Sequence, residues 1–193
     1  MMKKTDPWIP YCIYCSPSSG DLLVGMYRFD TKIGKVTRHN GVGQHIQTIQ
    51  YSKTSQGLYS RPNYITENRN GDVIVSNIIG IFHGDVVVTD HRGTYRFSYT
   101  GPPSGSELCP YGICTDALSH ILVCDYNTDT IQLIDKDGQF LTLILTELQG
   151  IHRPGSLSYD DKTHALWVGS LNSKKMRVYR YIERQNYPTC CSN

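Results

Sequence analysis

The sequence predicts an all-β fold, a β-propeller of about four four-stranded antiparallel blades, partial or open relative to a six-bladed ring. Three observations carry that expectation. Apolar residues alternate along short runs, and helical periodicity is absent throughout. Polar turn residues return about every 8 to 12 residues, the spacing of short antiparallel strands. One four-strand pattern then recurs in phase about every 45 to 50 residues, as expected of sheets repeated around an axis. A sandwich of the same strands leaves that recurrence without a reason.

Each unit opens on a proline. Pro10, Pro62, Pro110 and Pro154 lie 52, 48 and 44 residues apart and begin the inner strands "PYCIYC", "PNYITE", "PYGICT" and "PGSLSY". A polar turn follows ("SPSSGD", "NRNGD", "DALSH", "DDKTH"), then a denser apolar strand ("LLVGM", "VIVSN", "ILVCD", "LWVGS"). The second half of the unit is a hairpin. In "DVVVTDHRGTYRFSYTG" (85–101) and "TIQLIDKDGQFLTLIL" (130–145), Asp90 and Gly93 align with Asp135 and Gly138. Glycine at the end of such a turn supplies a positive φ. "KVTRHNGVGQHIQTIQY" (35–51) and "KMRVYRYIE" (175–183) fill the same place in the first and last units. One domain is therefore expected, with blades at about 8–51, 61–101, 109–146 and 153–183 and a polar tail at 184–193.

Bulk composition narrows the function classes. Apolar content of 39% supports a packed core, and 19% charged residues is too few for a disordered chain. A net charge of +2 argues against nucleic-acid binding driven by overall charge. No apolar segment follows "MMKKTDPWIP" as a leader would require, and no run of about 18 apolar residues exists to span a membrane. These features predict a cytoplasmic chain whose seven cysteines stay thiols. "CIYC" (12–15) is no zinc half-site on this reading: residues three apart in a strand point to opposite faces, and no second ligand pair exists.

The clearest unit, "CPYGICTDALSHILVCDYNTDTIQLIDKDGQFLTLI", resembles an NHL repeat. Pro110, Gly112, Ile113, Asp125, Asn127, Ile131, Asp135, Gly138 and Phe140 fill its pattern. The looser matches "RPNYITENRNGDVIV" and "RPGSLSYDDKTHALWV" extend the likeness over nearly the whole chain, from about residue 8 to 183. It is similar to the NHL propeller of tripartite-motif (TRIM) proteins, which usually has six blades, so the chain reads as a truncated member. The resemblance implies a non-catalytic recognition module: a protein-interaction propeller, or alternatively an RNA-binding one. Ubiquitin-ligase activity would need a RING domain, absent here, and another chain would complete the wheel.

Site expectations follow from that blade order. Arg61 and Arg153 precede the prolines that open inner strands and should ring one mouth of the channel, where an Arg forks onto phosphate or carboxylate, or else bridges a neighbouring Asp. Tyr64 and Tyr111, just inside, stack on a base or peptide side chain, or else pack between blades. Arg28, Lys174 and Lys175 add to the same basic face. No cofactor is implied. Catalytic motifs such as G-x-S-x-G, H-E-x-x-H and the P-loop are absent from the sequence. His120 and His164 recur at the same turn and read as repeat chemistry. The enzymatic rival is a gluconolactonase-like hydrolase holding a divalent metal in the channel; Glu67 and Asp116 fall only at the turn end of their strands.

Overall fold

The computed structural model describes residues 7–103, 105, 107–172 and 176–181. Four antiparallel sheets fold in chain order, each from consecutive strands. The first holds β1 (Trp8–Cys15), β2 (Leu22–Arg28), β3 (Ile33–His39) and β4 (His45–Ile49). The second holds β5 (Arg61–Glu67), β6 (Val73–Ile78), β7 (Gly84–Thr89) and β8 (Tyr95–Tyr99). The third holds β9 (Pro110–Thr115), β10 (Ile121–Asp125), β11 (Thr130–Ile134) and β12 (Phe140–Leu145). The fourth holds β13 (Pro154–Asp160), β14 (Ala165–Ser170) and β15 (Met176–Arg180). A 3-10 turn, Glu147–Gln149, leads into the last sheet, capped by Thr146 and closed by Gly150. This is the β-propeller arrangement, a partial one of four sheets, and no described helix is long and apolar enough to cross a membrane.

The two-residue period of a strand explains where the core sits. Val73 and Val75 of β6 point to the first sheet, into a cluster with Leu23, Val36 and Ile49. Ile74, between them, points to the third sheet, into a cluster with Ile121 and Val123. Leu122 and Cys124 turn the other way, toward Leu166 and Val168 of the fourth sheet. Middle strands buried on both faces therefore read as dense apolar runs, whereas an outer strand such as β8 (YRFSY) alternates aromatic and polar residues. The two end sheets have only one neighbour each. Ile13 (66% exposed) on β1 and Val178 (50%) on β15 face outward from the described arc.

A β-bulge recurs on every inner strand. The register slips between Pro10 and Cys12, between Pro62 and Tyr64, between Pro154 and Ser156, and opposite Val123/Asp125 on β9. The extra residue follows the proline each time: Tyr11, Asn63, one of Tyr111–Gly112, and Gly155. A bulge bends the strand and re-aims a side chain. The end of the paired strand then clamps the chain: Asn77 Oδ1 accepts from the amides of Ser60 and Arg61 (2.8 and 2.9 Å), and Asp125 Oδ1 from that of Cys109 (3.0 Å). Asp125 anchors a buried chain in which Gln132 Nε2 donates to it at 3.0 Å and Tyr99 Oη donates to Gln132 Oε1 at 2.7 Å. Inner strands approach so closely that a Cβ on Gly112 would stand 2.5 Å from Ser156 Cα.

Candidate functional site

The inner strands present two ends. At the proline end, the bulge carries Tyr11 out to meet Arg61, whose guanidinium lies 5.7 Å from the ring centroid. Tyr111 stacks on Tyr126 at 5.4 Å, and Arg153 sits 5.5 Å over Tyr126. Burial raises the Tyr111 pKa, and Arg61 is near enough to oppose that shift. Neither guanidinium pairs with a carboxylate among the described residues. Asp129 instead takes the backbone amide of Arg153 (2.5 Å).

Arg28 closes β2 opposite Trp8, at this same end, in a two-bond fork with Asp30 (2.7 and 2.8 Å). Tyr64 lies deeper, half-buried between the second and third sheets, and lines the cavity at the opposite end. Lys174 and Lys175 lie outside the described residues.

At the turn end, all four inner strands enclose a cavity of about 640 Å³. Tyr14, Glu67, Asp116 and Tyr159 reach it, one from each sheet. Glu67 is buried and ion-paired to Arg38, which also pairs with Asp21 at 3.3 Å. Asp116 is buried and saturated. Its Oδ1 accepts from the amides of Leu118 and His120, and its Oδ2 faces His120 Nδ1 (2.8 Å) and Tyr181 Oη (3.1 Å). On the neighbouring sheet, Tyr159 Oη and His164 Nδ1 share a hydrogen bond of 2.6 Å. Burial first, then the charges of Asp116 and Asp161, raise the Tyr159 pKa, so its phenol holds its proton. Arg69 bridges the rim to Asp161 at 3.0 Å.

His120 and His164 thus occupy equivalent turn positions but engage different groups, an acid in one blade and a phenol in the next. Recurrence alone makes them look structural. The missed signal was the tyrosine five residues before His164. A metal does not fit this cavity. Arg38 holds Glu67, His120 and Tyr181 hold Asp116, and among the described residues no three His, Cys, Asp or Glu side chains converge.

No protein-family model matches the chain, and no curated protein matches it. Solved structures share its fold. A catalytically inactive virginiamycin B lyase from Staphylococcus aureus, with quinupristin, is 16% identical with a TM-score of 0.60, over 97% of this chain and 59% of that one. A gluconolactonase from Xanthomonas campestris is 17% identical with a TM-score of 0.58, over 83% and 54%. The calcium-binding protein regucalcin from Agrobacterium tumefaciens is 15% identical with a TM-score of 0.58, over 87% and 55%. The likeness establishes a β-propeller, and the chain spans between 54% and 59% of the length of these three.

The comparisons correct the functional expectation. They bring forward enzymes, a lyase and a gluconolactonase, and nothing supports a TRIM-type receptor, a ligase subunit or an RNA-binding module. The physical reason is visible in the motif. Asp125 clamps the amide of Cys109, Gly112 permits close strand approach, and Gly138 (φ 90°) turns a hairpin. Those residues build a blade, and any propeller can use them.

Proposed function

We propose that the chain carries the acid–base site of a propeller enzyme that opens a cyclic ester, in the cavity where the four inner strands end. The carrying observation is the Tyr159–His164 pair, a phenol on the cavity wall bonded at 2.6 Å to an imidazole beside it. A phenol that keeps its proton at neutral pH is suited to deliver it to a departing ring oxygen. A water adds to the ester carbonyl and the ring C–O bond breaks; Tyr159 Oη gives its proton to the departing oxygen, and the proton lost by the water returns to the phenolate through His164. Asp116, fixed by His120 and Tyr181, places a negative charge on the same wall. The lyase and gluconolactonase among the structural neighbours support this reading, and the absence of a fitting metal cage among the described residues favours its metal-free form.

The test is turnover of glucono-1,5-lactone and of virginiamycin B by the purified chain, with and without a chelator. Tyr159→Phe should lower kcat about 100-fold and leave KM nearly unchanged. Absence of turnover of both compounds, equal activity in Tyr159→Phe, or loss of activity to the chelator would overturn the proposal.

A further inference from the structure

The opposite end of the inner strands holds a feature that acid–base chemistry does not use. A row of rings and cations runs across four blades: Tyr11, Arg61, Tyr111, Tyr126, Arg153. Two of its members, Tyr11 and Tyr111, come from the bulged segments, where an extra residue re-aims a side chain.

The alternative to a binding role for these arginines is a structural ion pair with a neighbouring blade. The described residues contain none. Asp129 takes the backbone amide of Arg153, and the guanidinium lies over Tyr126. The arginines that do serve structure here behave otherwise: Arg38 holds Glu67 and Asp21, and Arg96 holds Asp72 and Asp137.

The backbone at Arg153 is also constrained. Its φ is 43°, a left-handed value that a side chain adopts at a cost. Like Lys32, Asp129 and His164, Arg153 stands directly before a strand, here the one that Pro154 opens. Arg61 and Asn63 flank Pro62 in the second blade, and Arg61 Nε and Asn63 Nδ2 are buried donors without a hydrogen-bond partner among the described residues. Donor capacity is thus concentrated here and left unspent by the fold.

We propose that Arg61 and Arg153, with Tyr11, Tyr111 and Tyr126, form a binding site for a small organic oxyanion, a carboxylate or phosphate attached to a planar ring. The guanidinium forks accept the oxyanion in two-point geometry, and the ring lies in the row of tyrosines. Charge and stacking reinforce each other because a guanidinium already held against a ring loses little freedom when an anion docks. The site stands apart from the Tyr159–His164 pair, so either can fail without the other.

Phenyl phosphate and inorganic phosphate are the probes, titrated into the full chain by calorimetry and by amide NMR. Phenyl phosphate should bind saturably and more tightly than inorganic phosphate. Arg153→Gln, at an exposed side chain, should weaken it about tenfold, and Arg61→Gln similarly, while circular dichroism stays unchanged. Arg153→Lys should recover only part of the loss, because an ammonium has no fork. Equal affinity for the two probes, unchanged affinity in both Gln variants, or no saturable binding of phenyl phosphate would each overturn the proposal.

Discussion

Replacing Gly112 with alanine tests how the inner strands are packed. The new Cβ would stand 2.5 Å from Ser156 Cα, 2.7 Å from Leu157 N and 2.8 Å from Ser156 C. Ordinary carbon contacts lie at about 3.5 to 4.0 Å, so the overlap is about 1 Å. All three obstacles are backbone, so no rotamer change relieves it. Either β9 and β13 separate or the strands distort, and the Leu122–Leu166 cluster between those sheets loosens with them. Overpacking of this kind costs about 3 kcal/mol, which lowers the melting temperature of a chain this size by roughly 9 °C. Gly57→Ala is the control, because a Cβ there meets nothing within 4 Å and its φ is unstrained. Urea unfolding followed by tryptophan fluorescence reads both. A Gly112→Ala midpoint equal to that of Gly57→Ala would refute the close-approach argument.

Other outcomes follow from particular side chains. Arg38→Met leaves Glu67 buried without its cation and should cost about 3 kcal/mol in urea unfolding. Leu122→Ala, fully buried between the third and fourth sheets, should cost about 3 kcal/mol, whereas Leu118→Ala on an exposed turn should change stability by less than about 0.5 kcal/mol. Burial pushes the Cys12 thiol from 9.0 to about 12. The folded state therefore holds this proton where the unfolded chain releases it, so the contribution is full below pH 9.0 and is lost toward about pH 12, at about 1.4 kcal/mol per pH unit. A Cys12→Ala variant should show a flatter stability profile over that window. Peptide mapping after brief alkylation near pH 8 should find exposed Cys15 modified well ahead of buried Cys114 and Cys124.

The architecture was legible because it is written in local chemistry. Prolines that open strands, glycines that close hairpins and two-sided burial of β6 and β10 all leave marks in the residue order. The bulges were not legible. Tyr11 and Asn63 look like ordinary members of an alternating strand, and only pairing with the next strand reveals the extra residue. Arg61 and Arg153 could be assigned to one mouth from position alone. Of their tyrosine partners only Tyr111 could; Tyr11 and Tyr126 could not, because the row joins four blades and depends on how those blades turn about the axis. The family expectation failed for a related reason: Asp125, Gly112 and Gly138 meet requirements common to every blade. The cavity pair was missed because His164 matches His120 in the repeat, while its partner Tyr159 is matched in the preceding blade by Thr115, whose hydroxyl donates to Glu67 O and not to a histidine.

The inserted residue behind the opening proline gives the first two blades an interchangeable socket. Tyr11 and Asn63 occupy it there without being fully buried, whereas Gly155 is buried in the fourth. Mutations at those sockets change what the rim offers to solutes while the interlocked valines and isoleucines behind them stay untouched. Diversification of ligand preference and preservation of the wheel are therefore handled by separate sets of side chains.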